Sequence, residues 1–139
     1  MTPSLVEIID VLTRFIGDQE LQLLRELEAG GLTARQLFYL ETIREMKNPA
    51  YGELARRLGI SKPSVTAAVD KLAGLGYVQR IQSDEDRRSF HLHVTEKAEA
   101  LSAMHREGHE RIAALMSRNL GKKELAELVR ILNKVIQGM

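Results

Sequence analysis

Cysteine is absent from this 139-residue chain, and its absence excludes several chemistries at once. Without thiols there is no disulfide, no thiol catalysis, no thiol redox sensing and no cysteine-based zinc finger. Tryptophan is also absent and aromatic residues make up only 4%, which argues against a stacking platform for single-stranded bases. The composition is compatible with a reducing compartment, and we expect a cytoplasmic protein.

Long apolar runs and an excess of one charge are missing too. The 44% of hydrophobic residues are dispersed, which predicts no transmembrane segment, secretory signal or membrane partner. With 20 basic and 19 acidic residues the net charge is +1, so nucleic-acid binding must rest on where the charges lie.

There is no Gly-rich phosphate loop, Gly-x-Ser-x-Gly or His-Glu-x-x-His, so we predict no enzymatic activity and no cofactor. The length predicts one domain, residues 1–139.

Two short helical patterns meet at a tight turn in the middle of the chain. The first covers residues 50–58 and ends at Gly59, where a left-handed backbone favours glycine. Ser61 is a good N-cap for the second helix, and Pro63 is tolerated in the first turn of that helix. The apolar residues of the second helix fall on one face: Val65, Ala68, Val69 and Leu72. This pattern predicts a helix-turn-helix, and an ordinary pair of core helices is the alternative.

The other face of the second helix carries short polar and basic side chains, which let a helix backbone lie deep in a DNA major groove. The residues of this helix for which we predict DNA contacts are Ser61, Lys62, Ser64, Thr66, Ala67 and Lys71. Basic residues in the two helices are candidates for phosphate contacts, although solvated side chains are equally compatible with the pattern. Those residues are Arg56, Arg57, Lys62 and Lys71.

A β-hairpin is predicted directly after the helix-turn-helix. Its strands cover residues 77–82 and 89–94, and a charged turn lies between them. Alternation predicts that Phe90, Leu92 and Val94 point inward, and that His91 and His93 point outward. At the turn, Arg87 and Arg88 can enter a narrow minor groove, and Asp86 can hold Arg88 by a bidentate ion pair. A solvated turn with exposed ion pairs, worth under about 1 kcal/mol, is the alternative.

Long amphipathic helices flank this central part of the chain. The first is predicted to start at a Thr2 cap, with Pro3 at its first position, and to end at Gly30-Gly31. Thr33 and Gln36 form a capping box for the next helix, which Asn48-Pro49 ends. Thr95 caps a helix to about residue 118, and Gly121 separates the last helix.

A helix-turn-helix followed directly by a β-hairpin is a winged helix, and the helices at the two chain ends carry more apolar surface than a winged helix of this size can cover. We therefore predict a homodimer formed by residues 1–30 and 96–139, around a DNA-binding core of residues 33–95. The alternative is a monomer in which these helices pack on each other.

Thr33 to Thr95 resembles the winged-helix core of the MarR family of bacterial and archaeal transcriptional regulators. The resemblance is carried by residues 53–61, Val65-Thr66, 72–78 and, above all, 84–95. The Asp-x-Arg wing motif of the family falls on Asp86 and Arg88, with Val94-Thr95 where the family has Leu-Thr. The resemblance implies a mainly α fold with a small β-hairpin wing and N- and C-terminal dimerisation helices. It also implies a dimeric repressor of pseudo-palindromic operators in double-stranded DNA, controlled by a small organic effector.

His105 and His109 lie one turn apart on the long helix after the hairpin, a spacing that can chelate zinc if carboxylates complete the shell. Glu20, Glu26 and Glu107 are the candidates. Zinc-responsive relatives also take ligands from the second helix, where residues 36–39 offer no histidine, so we predict no metal site. A zinc-responsive regulator stays an alternative, as does an acyl-type ligand, since relatives that repress fatty-acid synthesis carry histidines here. A winged helix that binds protein and never DNA is the remaining alternative.

Overall fold

Six helices and one hairpin follow one another in a computed structural model that describes all residues, 1–139. The elements are α1 (Leu5–Ala29), α2 (Ala34–Met46), α3 (Tyr51–Leu58), α4 (Lys62–Gly74), β1 (Val78–Gln82), β2 (Phe90–Val94), α5 (Glu96–Ser117) and α6 (Lys122–Gln137). The predicted fold class, mainly α with a β-hairpin wing on a helix-turn-helix, is confirmed. None of the helices combines the length and apolarity that crossing a bilayer demands.

Most helix starts fall on the predicted caps, and the start of α1 does not. Thr33 caps α2 reciprocally with Gln36, and Ser61 and Thr95 cap α4 and α5. The predicted Thr2 cap is wrong, because Ser4 takes that place. Ser4 Oγ accepts from the Glu7 N–H at 3.3 Å, and the Glu7 carboxylate accepts from the Ser4 N–H at 2.7 Å. The bond from the Ser4 N–H, and after it the bond that the Ser4 hydroxyl donates to the same carboxylate at 2.9 Å, lower the pKa of Glu7 below its ordinary value.

The hairpin is antiparallel and runs from the pair Val78–Val94 to the pair Gln82–Phe90. Its base is held by the loop between α2 and α3, because the Leu92 N–H donates to the Pro49 carbonyl at 2.9 Å and Ala50 forms a β-bridge with His91. Each predicted strand started one residue too early.

Two predictions about side-chain direction in the second strand need correction. Leu92 is buried as expected, but Phe90, predicted to point inward, is 41% exposed. It lies in the last strand pair before the turn, where the hairpin extends past the helices that would cover it. His91 and His93 are half-buried rather than fully outward, and for His91 the bridge to Ala50 supplies part of the cover.

One core joins α2, the helix-turn-helix, the base of the hairpin and the adjoining ends of α1 and α5. Its buried apolar side chains are Leu27, Leu32, Leu37, Leu40, Ile43, Leu54, Ala55, Val65, Val69, Leu72, Tyr77, Val78, Leu92 and Ala98. Lys97 ties α5 to the end of α4, because its ammonium donates to the Leu75 carbonyl at 2.6 Å and lies 4.5 Å from the Tyr77 ring centroid. These contacts fix where the hairpin leaves the helical body.

The terminal helices bury almost nothing within this chain. No residue of α1 before Leu27 is buried, and α6 has no buried residue at all. Large apolar side chains are exposed along both helices: Leu5, Val6, Ile8, Ile9, Val11, Leu21, Leu125, Val129, Ile131, Leu132, Val135 and Ile136. A contiguous apolar face of this kind marks an interaction surface.

Candidate nucleic-acid interface

The turn between α3 and α4 sets the crossing of the two helices. Gly59 has φ 65°, the left-handed conformation predicted for it, and the Ile60 N–H donates to the Ala55 carbonyl at 3.2 Å. Ile60 is half-buried against the core. Ala55 is buried in α3, and its small side chain lets the two helices approach closely.

The outward face of α4 carries every predicted contact residue of that helix. Ser61, Lys62, Ser64, Thr66, Ala67 and Lys71 are all exposed. On the opposite face Val65, Val69 and Leu72 are fully buried, whereas Ala68 is half-buried. The recognition helix, as we call α4, is therefore anchored along one side and presents short side chains along the other.

The hydroxyl groups on this face already have partners within the helix. Ser61 Oγ accepts from the Ser64 N–H at 3.3 Å and lies 2.9 Å from Ser64 Oγ. Thr66 Oγ1 donates to the Lys62 carbonyl at 3.1 Å. Hydroxyl groups can both donate and accept, so each keeps capacity for a further bond.

The tip of the hairpin is a tight turn built by backbone bonds. The Ser83 N–H donates to the Ser89 carbonyl, and the Ser89 N–H donates to the Asp86 carbonyl, both at 2.9 Å. Ser83 is buried, and Gln82 donates from its side-chain amide to the Arg87 carbonyl. The turn thus holds residues 83–89 in one shape with Arg87 and Arg88 exposed.

The predicted ion pair between Asp86 and the Arg88 guanidinium is wrong. Asp86 Oδ1 instead accepts from the backbone N–H of Arg88 at 3.0 Å. An aspartate side chain that bonds a backbone N–H two residues ahead forms an Asx-turn, a local bond with little entropic cost. Neither Arg87 nor Arg88 takes part in a salt bridge, so both guanidinium groups are free to meet another anion.

A cluster that was not predicted joins the hairpin to both helices. Arg80 in β1 donates through Nε to Tyr51 Oη at 2.7 Å, and its Nη2 pairs with the Asp70 carboxylate of α4. The residues are far apart in sequence, so no local motif reveals them. The available signal was strand alternation, which places Arg80 on the same face as the buried Val78.

The histidine pair lies beside a small cleft of about 40 Å³ between α1 and α5. The two ring centroids of His105 and His109 are 4.4 Å apart in an edge-on arrangement. Glu20 and Glu26 of α1 line the same cleft. Nowhere in the chain do three or more histidine or carboxylate side chains gather in a way that could hold a metal ion.

This geometry defines a winged helix-turn-helix protein, in which a recognition helix and an adjacent β-hairpin form one exposed surface. A model of the MarR family matches residues 32–90. The transcriptional repressor MprA of Escherichia coli K12 is 31% identical over 131 residues, covering 86% of this chain and 73% of MprA. The HTH-type transcriptional repressor MdtR of Bacillus subtilis is 25% identical over 117 residues, covering 84% and 76%.

Among solved structures, Streptococcus pneumoniae FabT in complex with DNA has the same fold, with a TM-score of 0.74 over 96% of each chain and 20% identity. The chain belongs to the MarR family. It is a DNA-binding transcriptional regulator, and the family to which it belongs is not enzymatic.

Proposed function

We propose that this protein is a homodimeric repressor that binds pseudo-palindromic operators and is released by a small organic effector. The observation that carries the proposal is the surface shared by α4 and the hairpin. One helix face is buried. The opposite face bears short or basic side chains and one carboxylate, Asp70, which pairs with Arg80, and arginines without a salt bridge stand beside it. We assign residues 33–95 to DNA binding, and residues 1–30 and 96–139 to dimerisation.

In this proposal α4 enters the major groove. Ser64, Thr66 and Ala67 are short enough to let the helix backbone approach base edges. Lys62 and Lys71 lie near opposite ends of the helix and take part in no salt bridge, so they can contact phosphates. Phosphate contacts position the helix, while base contacts supply sequence preference.

The hairpin turn enters the minor groove through Arg88, with Arg87 as a second cation. A guanidinium in a narrow minor groove responds to groove width and negative potential more than to base identity. The contribution of Asp86 is to shape the turn that presents Arg88. FabT, which shares this fold and was solved in complex with DNA, supports the same class of ligand for this chain.

Dimerisation would cover the exposed apolar faces of α1 and α6. A twofold dimer would place two recognition helices about one DNA turn apart, ~34–36 Å, which suits a pseudo-palindrome. The repressor sense follows the names of the relatives, MprA and MdtR, both described as repressors.

The effector would bind in the cleft beside His105. Its walls combine apolar and polar side chains from two helices, among them Leu23, Met104, Ile112 and Arg111. Polar side chains make up most of this lining and Leu23, Met104 and Ile112 supply its apolar part, so the cleft suits a small organic molecule with polar groups. Zinc is the competing ligand, and it would need two further ligands to join the two imidazoles.

The experiment selects bound fragments from the genome of the source organism and footprints the recovered site. We expect a footprint with two half-sites, two chains per duplex, and an affinity that falls steeply with salt. A folded protein that retains no duplex at low salt would instead support the protein-interaction alternative.

Zinc titrated into chelator-treated protein should leave operator affinity unchanged. A change of about tenfold, or 1.4 kcal/mol, that His105→Ala removes would identify a metal sensor.

A further inference from the structure

We propose that Arg80 is a positioning residue, which fixes the hairpin against the recognition helix so that Arg88 and α4 reach adjacent grooves together. This inference rests on the proposed DNA binding and concerns residues that touch no base. Arg80 contacts two helices at once, Tyr51 at the start of α3 and Asp70 in α4. We call these three residues the Arg80 clamp.

The clamp lies where the hairpin stops being supported. Arg80 pairs across the ladder with Leu92, which is fully buried and is bonded through its N–H to Pro49. Beyond this pair, residues 81–90 make side-chain hydrogen bonds and ion pairs only among themselves. Ile81 and Phe90 are exposed there. Arg80 is therefore the last side-chain hydrogen-bond or ion-pair connection between the hairpin and the helices before the turn, and the Ala50–His91 backbone bridge lies next to it on the other strand.

An unsupported two-stranded hairpin is marginally stable in water, so its tip can pivot about its base. A pivot of the tip moves Arg88 relative to α4, and binding both grooves would then cost the entropy of fixing that angle. Thr66, Asp70, Arg80, Arg88 and Phe90 all line one groove between α4 and the hairpin. All three clamp residues line this groove, so the clamp limits how far the hairpin can move from α4.

The competing role for Asp70 is purely electrostatic. Asp70 lies on α4, and a carboxylate near DNA repels phosphates, so its removal should strengthen binding. The clamp predicts the opposite sign, because removal frees the hairpin. Tyr51→Phe separates the two roles further, since it removes one hydrogen bond to Arg80 and changes no charge.

The test compares Asp70→Ala, Tyr51→Phe and Arg88→Ala with wild type, on the duplex recovered by genomic selection and at one salt concentration. Glu45→Ala is the matched control. It removes a carboxylate from another exposed ion pair of the DNA-binding core, Glu45–Arg57 at 3.8 Å between α2 and α3, away from the hairpin. Hydrogen exchange of the hairpin amides in the free protein is the second measurement.

We expect Asp70→Ala to weaken binding about threefold to tenfold and Tyr51→Phe about twofold to threefold, with faster exchange at residues 81–90. In an Arg88→Ala background the loss from Asp70→Ala should shrink to under about twofold, because a misplaced tip no longer matters. Glu45→Ala should change neither measurement.

Tighter binding by Asp70→Ala, or a loss that adds fully to that of Arg88→Ala, would overturn the clamp. Unchanged affinity and exchange in Tyr51→Phe would also overturn it. A wild type that binds no duplex, while the variants still exchange faster, would refute the proposed DNA binding and retain the clamp as an anchor of the hairpin.

Discussion

The DNA-binding core buries its apolar side chains within the chain, whereas the terminal helices leave many of theirs exposed. In the core Leu72 is fully buried, whereas Leu132 of α6 is 45% exposed and Val135 is 54% exposed. The core therefore finishes folding within one chain, while α6 and the first turns of α1 leave apolar area in water. Burial drives folding at roughly 25 cal/mol per Å², so this difference predicts that a second chain completes the terminal helices.

The largest expected effect comes from truncating one leucine in the core and one leucine in α6 to alanine. Leu72→Ala should lower the free energy of unfolding by about 2–5 kcal/mol at every protein concentration, because it opens a cavity in a closed core. Leu132→Ala should chiefly weaken dimerisation, so its effect should disappear at concentrations where the chain is monomeric. Urea unfolding at two protein concentrations measures both. Equal destabilisation by Leu132→Ala in the monomer would mean that α6 packs within its own chain.

Arg88→Ala tests whether the DNA-binding core can lose operator affinity without losing stability. It should weaken operator binding about tenfold, or 1.4 kcal/mol, and leave the unfolding midpoint unchanged, because the side chain has no intramolecular partner. Dissociation constants at one salt concentration measure the change. Arg106→Ala is the control, an exposed arginine of α5 whose only ion pair is with Glu110. Equal affinity of Arg88→Ala and wild type would refute the minor-groove role.

The two serine N-caps extend the comparison to helix starts. Ser61→Ala should cost about 1 kcal/mol of stability and also reduce operator affinity, because Ser61 caps the recognition helix. Ser4→Ala should fray only the first turn of α1, since that turn packs on nothing in its own chain. Thermal unfolding and duplex binding are measured for both variants. An equal loss of affinity in Ser4→Ala would contradict the assignment of DNA binding to the core and not to α1.

The smallest expected effect separates two roles of Asp86. Asp86→Asn keeps the oxygen that accepts from the Arg88 N–H and removes a charge that repels phosphates, so it should bind DNA at least as tightly as wild type does. Asp86→Ala removes the acceptor and should weaken binding about threefold by loosening the turn. The two dissociation constants decide the question. A loss in Asp86→Asn as large as that in Asp86→Ala would restore the ion pair as the better account.

Local chemistry made most of the fold predictable. Gly59 ends α3 in the left-handed conformation, Thr33 and Gln36 form the expected capping box, and the change from helical to alternating periodicity marks the hairpin. These features depend on neighbouring residues alone. The exposed face of α4 followed in the same way, because a helix with one apolar stripe must turn its other face to solvent.

The errors concern contacts between elements. Phe90 fits the alternation of a strand but lies beyond the helices that would cover it, and no sequence pattern tells how far a hairpin projects. Asp86 Oδ1 accepts from the Arg88 backbone N–H instead of pairing with the Arg88 guanidinium, because the bond to the backbone joins groups closer together in the chain. The Arg80 clamp joins α3, α4 and β1, so it becomes visible only once these elements are packed together.

Sedimentation of the purified chain tests most directly whether the terminal helices are completed by a second copy. We predict the mass of two chains at micromolar concentration, and the mass of one folded chain for a Val129→Asp, Val135→Asp variant, because both aspartates would lie in the apolar face of α6. A wild-type protein that sediments as a folded monomer at that concentration would contradict the account.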